Sequence, residues 1–190
     1  MKETLRTDMI RKRNTLSTAD VREKSTLIQN QLFSLSEFSS SHSILFYVSY
    51  DNEVFTHQMI KDSLSLGKHV IVPYVDMEKK QLNLSKLYHW QDLSLGTYGI
   101  LEPKQEYIHQ VSVGDVDLII VPGIVFDCMG QRIGHGLGYY DRLLQKGIRT
   151  LKIGLAFELQ LVENIPAEKH DMRVDAIITE KRLICCNDTT

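Results

Sequence analysis

The segment 121–142 holds the densest set of residues that could do chemistry. Its loop carries glycine at every second position, at Gly134, Gly136 and Gly138. This spacing suits neither a packed strand nor a helix interior, because glycine gives up side-chain packing and costs backbone entropy. Such a loop lets backbone N–H groups approach a polyanion such as a nucleotide triphosphate, with Arg132 as the counter-charge. Asp127 and Asp141 are candidate ligands for an accompanying Mg²⁺.

The same loop has a simpler interpretation as a turn, because its spacing matches neither the Rossmann nor the P-loop pattern. Asp127 then caps the turn, and Asp141 is a first-turn carboxylate favoured by the helix dipole. We favour the turn cap for Asp127 and metal binding for Asp141. His135 is open between a phosphate contact or proton donor and a solvent-facing loop residue.

Composition narrows the class of protein. The 190 residues carry a formal net charge of −2 and a predicted pI near 6.4, which disfavours nucleic-acid binding. The three cysteines (Cys128, Cys185 and Cys186) give neither a disulfide framework nor a metal-ligand spacing. The sequence has no apolar run of membrane-spanning length and no apolar signal region near its charged residues 1–6. We therefore expect a single cytoplasmic domain over residues 1–190 that binds neither membrane nor nucleic acid.

Hydrophobic periodicity predicts the elements that must position the loop. The pattern indicates helices over 2–16, 19–35, 53–66 and 139–146. Short apolar runs predict buried strands over 44–48, 70–73, 118–121, 150–156 and 176–179, and the polar stretch 76–97 predicts a hairpin or meander. This alternation is typical of an α/β protein with a parallel sheet, whose ligands bind at the carboxyl ends of the strands. Nearly all the candidate residues fall in the loops there: 48–53, 73–77, 122–138 and 157–171.

Further motifs extend over the whole chain. They are Lys2-x-x-Leu5-Arg6 with Arg13, the segment 47–53, Gly-Ile-Leu-Glu-Pro at 99–103, the signature at 117–142, residues 152–157 with Gln160, and 165–171 followed by Asp175. In this order they resemble the 5-formyltetrahydrofolate cyclo-ligase family, also called 5,10-methenyltetrahydrofolate synthetase. The sequence departs from the family pattern at His135 and Leu137, the two residues between the three glycines.

The resemblance implies an enzyme of folate metabolism. It would convert 5-formyltetrahydrofolate to 5,10-methenyltetrahydrofolate while ATP is hydrolysed to ADP and phosphate with Mg²⁺. The formyl oxygen would attack the γ-phosphate, and N10 of the folate would then attack the activated carbon as phosphate leaves. The implied fold is a three-layer α/β/α sandwich with a mostly parallel sheet, similar to the ribose-5-phosphate isomerase and CoA-transferase group.

The resemblance also implies roles for individual residues. Arg132 and Tyr139 would be catalytic, and Asp141 and Asp171 would lie on the metal side. ATP would contact two segments: Lys2, Glu3, Thr4, Leu5 and Arg6, then Arg132, Ile133, Gly134, His135, Gly136, Leu137, Gly138, Tyr139 and Tyr140. The folate would contact Val48, Glu53, Tyr98, His135, Gly136, Leu137, Gly138 and Tyr139.

Two other functions fit the same sequence. One is a regulatory protein that binds folate or nucleotide without turnover. The other is a sugar-phosphate isomerase or a CoA-transferase on the same fold, with Glu53 as the only near candidate for the transferase nucleophile. For the cyclo-ligase we expect only small-molecule partners, ATP and a reduced folate, in a monomer or weak homo-oligomer.

Overall fold

The computed structural model describes residues 1–147 and 149–186. Its helices are α1 (Lys2–Arg13), α2 (Thr18–Ser34), α3 (Ser36–Ser40), α4 (His57–Ser65) and α5 (Tyr139–Lys146). Its strands are β1 (Ser43–Leu45), β2 (His69–Asp76), β3 (Gln81–Leu87), β4 (Leu93–Leu95), β5 (Leu101–Pro103), β6 (Gln110–Val111), β7 (Leu118–Val121), β8 (Val125–Asp127), β9 (Arg132–Ile133), β10 (Leu151–Leu155), β11 (Leu161–Val162), β12 (Ala176–Ile178) and β13 (Leu183–Cys185).

One large sheet organises the part of the chain that the structure describes. Its strand order is β13-β12-β10-β7-β1-β2-β3-β6. The five central strands from β12 to β2 run parallel, and β13, β3 and β6 pair antiparallel at the two edges. The α/β class and the mostly parallel sheet are therefore confirmed. The parallel strands are short apolar runs because both of their faces are covered.

Alternate residues of the central strands pack into two different clusters. Ile44 of β1 and Leu118 of β7 join a cluster with residues of α2, α3 and α4. Their chain neighbours Leu45 and Ile119 join a second cluster with α5 and Phe126. This follows from the two-residue side-chain period of a strand. Helices consequently cover both faces of the sheet.

The helix boundaries differ from the expected ones where the site begins. Helix α2 starts as expected, with Ser17 and Asp20 forming a capping box. Helix α4 begins at His57 rather than at residue 53. The Thr56 hydroxyl donates to the Tyr47 carbonyl at 2.6 Å and accepts from the Ser49 amide at 3.0 Å. These bonds hold residues 47–56 as a loop and keep them out of the helix.

Two segments expected as plain loops contain short strands. Strands β8 and β9 lie within 122–138 and β11 lies within 157–171, and together they form a three-stranded sheet in the order β11-β8-β9. The expected hairpin after residue 76 is present, although its first strand, β2, starts earlier at His69. Among the described residues, the structure contains no helix with the length and apolar character needed to cross a bilayer.

Candidate functional site

A cavity of about 780 Å³ opens at the carboxyl end of the parallel strands. The chain passes from β1 to β2 on one side of β1 and from β7 to β10 on the other side of β7. The neighbouring strands β1 and β7 therefore form the point where the winding of the sheet reverses, which is where open α/β sheets bind ligands. The loops after β1 and β7, strand β2 and the first turns of α1 and α5 line the cavity.

The glycine loop follows β9 and leads into α5. Gly136 has φ +94° and Gly138 has φ +66°, and L-residues with side chains rarely adopt either value. A Cβ atom at Gly136 would lie 3.5 Å from the Arg6 guanidinium. The Arg6 Nε donates to the Gly134 carbonyl at 2.8 Å, which ties α1 to the loop. The glycine loop thus packs against the cationic side chain of Arg6, and the approach of its backbone N–H groups to a polyanion stays a prediction.

Arg132 is the buried cation of the cavity. Its side chain is 3 % exposed, and Nη2 donates to Asp141 Oδ1 at 2.8 Å. Burial lowers the pKa of Arg132, the Asp141 carboxylate opposes that shift, and the guanidinium stays charged. The described residues offer no hydrogen-bond partner to Arg132 Nε or to the buried Tyr140 hydroxyl. A buried donor without an acceptor costs free energy of folding. The side of the cavity formed by Arg132 and Tyr140 is therefore suited to a ligand rich in acceptor oxygens.

A second ion pair joins α1 to the loop 166–171. Lys2 Nζ lies 2.6 Å from Asp171 Oδ2 and 3.2 Å from Glu168 Oε1. Burial favours the neutral amine, but the hydrogen bonds to the two carboxylates outweigh it and raise the pKa of Lys2. Burial raises the pKa of Asp171, but the hydrogen bonds from Lys2 and from the Glu168 amide, together with the Lys2 charge, outweigh burial and lower this pKa.

These carboxylates are the candidate metal ligands. Ligand atoms of Glu168, His170 and Asp171 lie within 4.8 Å of one another. Asp141 comes close to this group, because its Oδ1 accepts from the Met172 amide at 3.2 Å. Carboxylate oxygens suit Mg²⁺, which in nucleotide sites binds one or two carboxylates together with substrate phosphates. The donor set fits, and an arriving cation would compete with Lys2 for Asp171.

The cavity also contains a buried carboxylate. Glu53 is 6 % exposed, and its Oε2 accepts from the Tyr50 amide at 3.2 Å. Its Oε1 lies 3.4 Å from His135 Nε2, and the Tyr50 hydroxyl lies 3.1 Å from the same ring. Burial, with a further contribution from Glu53, raises the pKa of Tyr50 to about 12. His135 thus contacts Glu53 and Tyr50 of the loop that follows β1, and its side chain is 42 % exposed.

Two tyrosines of the cavity lining interact with each other. Tyr98 comes from the turn between β4 and β5, and Tyr139 is the first residue of α5. A side-chain hydrogen bond with Tyr98 raises the pKa of Tyr139. Both rings line the cavity beside Val48. Flat aromatic surfaces at this position can stack on a heterocyclic ligand.

The structure gathers most of the expected site residues in this one cavity. Those that line it are Lys2, Glu3, Arg6, Val48, Glu53, Tyr98, Arg132, Ile133, Gly134, His135, Gly136, Leu137, Gly138, Tyr139, Tyr140, Asp141 and Asp171. Thr4 and Leu5 lie outside the lining: Thr4 is exposed and Leu5 packs against the cluster around Met9 and Ile124.

Asp127 has the structural role that we favoured. It is fully buried, and Oδ1 accepts from the amides of Met129 at 2.9 Å and Gln131 at 3.0 Å. Its Oδ2 accepts from the Ile165 amide at 2.9 Å. These bonds close the turn after β8 and hold the loop that leads to Asp171.

Several lining residues carried no chemical signal in the sequence. They are Tyr47, Tyr50, Pro73, Val75, Leu82 and Pro166. Tyr47 and Tyr50 lie within the motif at 47–53 and Pro166 lies within 165–171, but no role followed for any of them from the sequence. Val75 and Leu82 are ordinary apolar residues of a hairpin, and only the three-dimensional pairing of β2 with β3 brings them to the cavity.

The chain is similar over most of its length to known proteins. The family model described as the 5-formyltetrahydrofolate cyclo-ligase family matches residues 1–180. The chain is 32% identical over 146 residues to the 5-formyltetrahydrofolate cyclo-ligase of Escherichia coli (strain K12), covering 75% of this chain and 80% of that protein. It is 28% identical over 189 residues to the Mus musculus enzyme of the same name, covering 94% and 93%.

A solved structure extends the likeness to the fold. The 5,10-methenyltetrahydrofolate synthetase of Aquifex aeolicus superposes with a TM-score of 0.88 at 34% sequence identity, covering 100% of this chain and 94% of that one. By the match over residues 1–180 and by these relatives, the chain belongs to the 5-formyltetrahydrofolate cyclo-ligase family, a family of ligase enzymes.

Proposed function

We propose that this protein converts 5-formyltetrahydrofolate to 5,10-methenyltetrahydrofolate with hydrolysis of ATP to ADP and phosphate. The observation that carries the proposal is that one cavity holds two chemically different groups of residues. Lys2, Arg6 and Arg132, each paired with a carboxylate, form the first group, which we call the cationic end, and the buried Glu53 with its neighbouring aromatic rings forms the second, which we call the folate end. Two ligands of these chemistries can therefore meet inside a single cavity of about 780 Å³.

The cationic end binds the triphosphate in this proposal. Arg132 and Arg6 neutralise phosphate charge, and backbone N–H groups of the glycine loop approach the phosphate oxygens. The unpartnered Arg132 Nε and Tyr140 hydroxyl, both buried, supply donors that need no reorganisation. Asp141 and Asp171 would hold Mg²⁺, which supplies further positive charge to the phosphates when bound.

The reaction needs positioning and charge neutralisation more than a protein nucleophile. The formyl oxygen attacks the γ-phosphate, and the bond to the β-phosphate bridge oxygen breaks to release ADP. N10 then attacks the activated formyl carbon and loses its proton, and the carbon–oxygen bond breaks to release phosphate. Arg132 stabilises the charge of the transferred group, and Tyr139 lies where the two substrates adjoin.

The folate end orients the pterin ring. The Glu53 carboxylate is buried, so hydrogen bonds that it accepts from pterin N–H groups form in a low-dielectric setting and gain strength. Val48 and Tyr98 provide apolar and aromatic walls for the ring. His135 lies next to Glu53 and reaches the boundary between the two ligands.

Three structural aspects belong to the same proposal. The helices on both faces of the main sheet support a three-layer α/β/α sandwich of the ribose-5-phosphate isomerase and CoA-transferase type. Residues 1–190 form one domain. The protein works as a monomer or weak homo-oligomer on ATP and a reduced folate, without nucleic-acid or membrane partners.

Substrate dependence tests this function. Release of ADP from ATP is measured with purified protein and Mg²⁺, with and without 5-formyltetrahydrofolate. We expect ADP release only when the folate is present, with one methenyl product formed per ADP. Hydrolysis that is independent of folate would contradict the proposal, as would folate turnover without ATP.

A further inference from the structure

The turn that presents Tyr98 is held in an unfavourable backbone conformation. Tyr98 has φ +59° and ψ 18° within the 3₁₀ turn Thr97–Gly99, between β4 and β5. A residue with a side chain costs about 1 kcal/mol or more in this left-handed region, so surrounding contacts must impose the conformation. The Tyr98 side chain is also 57 % exposed, so core packing does not fix it.

Glu102 supplies the contacts that fix this turn. Its Oε2 accepts from the Thr97 amide at 3.3 Å and from the Thr97 hydroxyl at 3.4 Å. Its Oε1 accepts from the Val75 amide of β2 at 3.1 Å. One carboxylate therefore joins the residue before Tyr98 to a strand of the main sheet.

Gly96 shows how closely Glu102 is built into the turn. A Cβ atom at Gly96 would lie 2.5 Å from Glu102 Oε2, so any side chain there would displace the carboxylate. The Gly96 amide donates to the Ile100 carbonyl at 2.8 Å, which closes the turn above the carboxylate. Glu102 of the motif Gly-Ile-Leu-Glu-Pro at 99–103 thus stabilises the turn that carries Tyr98.

We propose that Glu102 is a positioning residue that fixes Tyr98 opposite Tyr139 and thereby sets the affinity of the cavity for the folate ring. This inference rests on the proposed function, because it assigns the flat ligand at Tyr98 to the reduced folate. Glu102 also lines the cavity, but both of its carboxylate oxygens accept hydrogen bonds from the protein, so in this inference it acts through Tyr98.

The substitution Glu102→Gln tests the inference with little change of shape. In Glu102→Gln the amide nitrogen cannot accept from the Thr97 N–H while the amide oxygen accepts from the Val75 N–H, so the hydrogen bond from the Thr97 amide is lost and two donors face each other. We expect the KM for 5-formyltetrahydrofolate to rise about tenfold, with the KM for ATP and kcat each changed by less than about twofold. Glu106→Gln, at an exposed position in the next turn, is the matched control and leaves all three constants unchanged.

A double-mutant cycle separates positioning through Tyr98 from a general structural role. In the Tyr98→Ala background, Glu102→Gln should raise the folate KM by less than about twofold further. A persistent tenfold rise would overturn the inference, as would an equal rise in the KM for ATP. If Glu102→Gln fails to fold, Thr97→Val removes the hydroxyl bond alone, and a folate KM within experimental error of wild type would overturn it.

The same experiment distinguishes failure of the inference from failure of the proposed function. The affinity for 5-formyltetrahydrofolate is also measured directly by titration calorimetry without ATP. The double-mutant cycle can then be calculated from these Kd values as well as from KM. Wild-type protein that binds the folate without turnover contradicts the proposed function alone. Wild-type protein that does not bind it overturns both. Amide exchange at Thr97 is expected to accelerate in Glu102→Gln, and unchanged exchange would contradict the bridge itself.

Discussion

Arg132 Nη2 lies 2.8 Å from Asp141 Oδ1, so a residue assigned to phosphate and a residue assigned to metal are bonded to each other. Lys2 and Asp171 repeat the arrangement at 2.6 Å. Both cations thus have a carboxylate partner in the absence of a ligand. In the proposed function, binding of a phosphate–metal pair would exchange these partners without leaving a buried charge unpaired.

Removal of Arg132 should abolish most of the turnover. Arg132→Ala deletes the buried guanidinium and its free Nε donor, and we expect kcat to fall about 100-fold or more. Far-ultraviolet circular dichroism should match wild type, because the lost side chain faces the cavity. Lys12→Ala, at an exposed position of α1, is the control. Activity within a few-fold of wild type in Arg132→Ala would refute the role of this residue.

ATP and Mg²⁺ should bind cooperatively. When ATP binds without metal, its phosphates pair with Lys2 and Arg132. Asp171 and Asp141 then lose their partners, and this loss opposes ATP binding. We expect the calorimetric Kd of ATP to weaken about tenfold or more when Mg²⁺ is removed by chelation. Asp171→Asn should reduce this dependence on Mg²⁺, because it removes one of the two carboxylates. Equal ATP affinity with and without metal in the wild-type protein would argue against exchange of ion pairs.

Glu53→Gln should act on the folate end of the cavity. The neutral amide accepts a weaker hydrogen bond from pterin N–H groups, so the folate KM should rise about 10- to 100-fold with a smaller change in the KM for ATP. Asp51→Asn provides the matched control, because Asp51 is an exposed carboxylate of the same loop at φ 47°, which asparagine tolerates. A larger effect on ATP than on folate would mean that the two ends are assigned the wrong way round.

The raised pKa of Tyr50 predicts a dependence of stability on alkaline pH. Burial, with Glu53, raises this pKa to about 12 from a usual value near 10. A raised pKa gives a contribution that is complete below about pH 10 and is lost as the pH rises through about 12. In urea unfolding, the stability advantage of wild type over Tyr50→Phe should therefore shrink between those values. A constant difference would show that Tyr50 ionises as an exposed tyrosine does.

The sequence predicted the central sheet because its strands are buried on both faces. The run 118–121 is apolar at every position, and each of its residues is buried in the structure. The edge strands β3 and β6 carry polar residues, and β8, β9 and β11 are only two or three residues long. None of these segments forms a run of buried apolar residues, so the local pattern does not identify them as strands.

For the lining of the cavity, predictions from the type of side chain were more accurate than predictions that assigned a whole segment. Lys2 and Arg6 are four residues apart on one face of α1, so both reach the cavity. Thr4 and Leu5 lie between them in sequence but on other faces of the helix, which a contiguous assignment ignores. The link from Tyr50 to His135 joins residues 85 positions apart, and only the fold brings them together.

The most direct test of the proposed reaction is a spectrophotometric assay with purified protein, 5-formyltetrahydrofolate, ATP and Mg²⁺. The near-ultraviolet absorbance of the methenyl product is followed over time, with omission of ATP as the control. We predict that the absorbance grows only when ATP and the folate are both present. No growth with both substrates present would contradict the assignment of this cavity to the cyclo-ligase reaction.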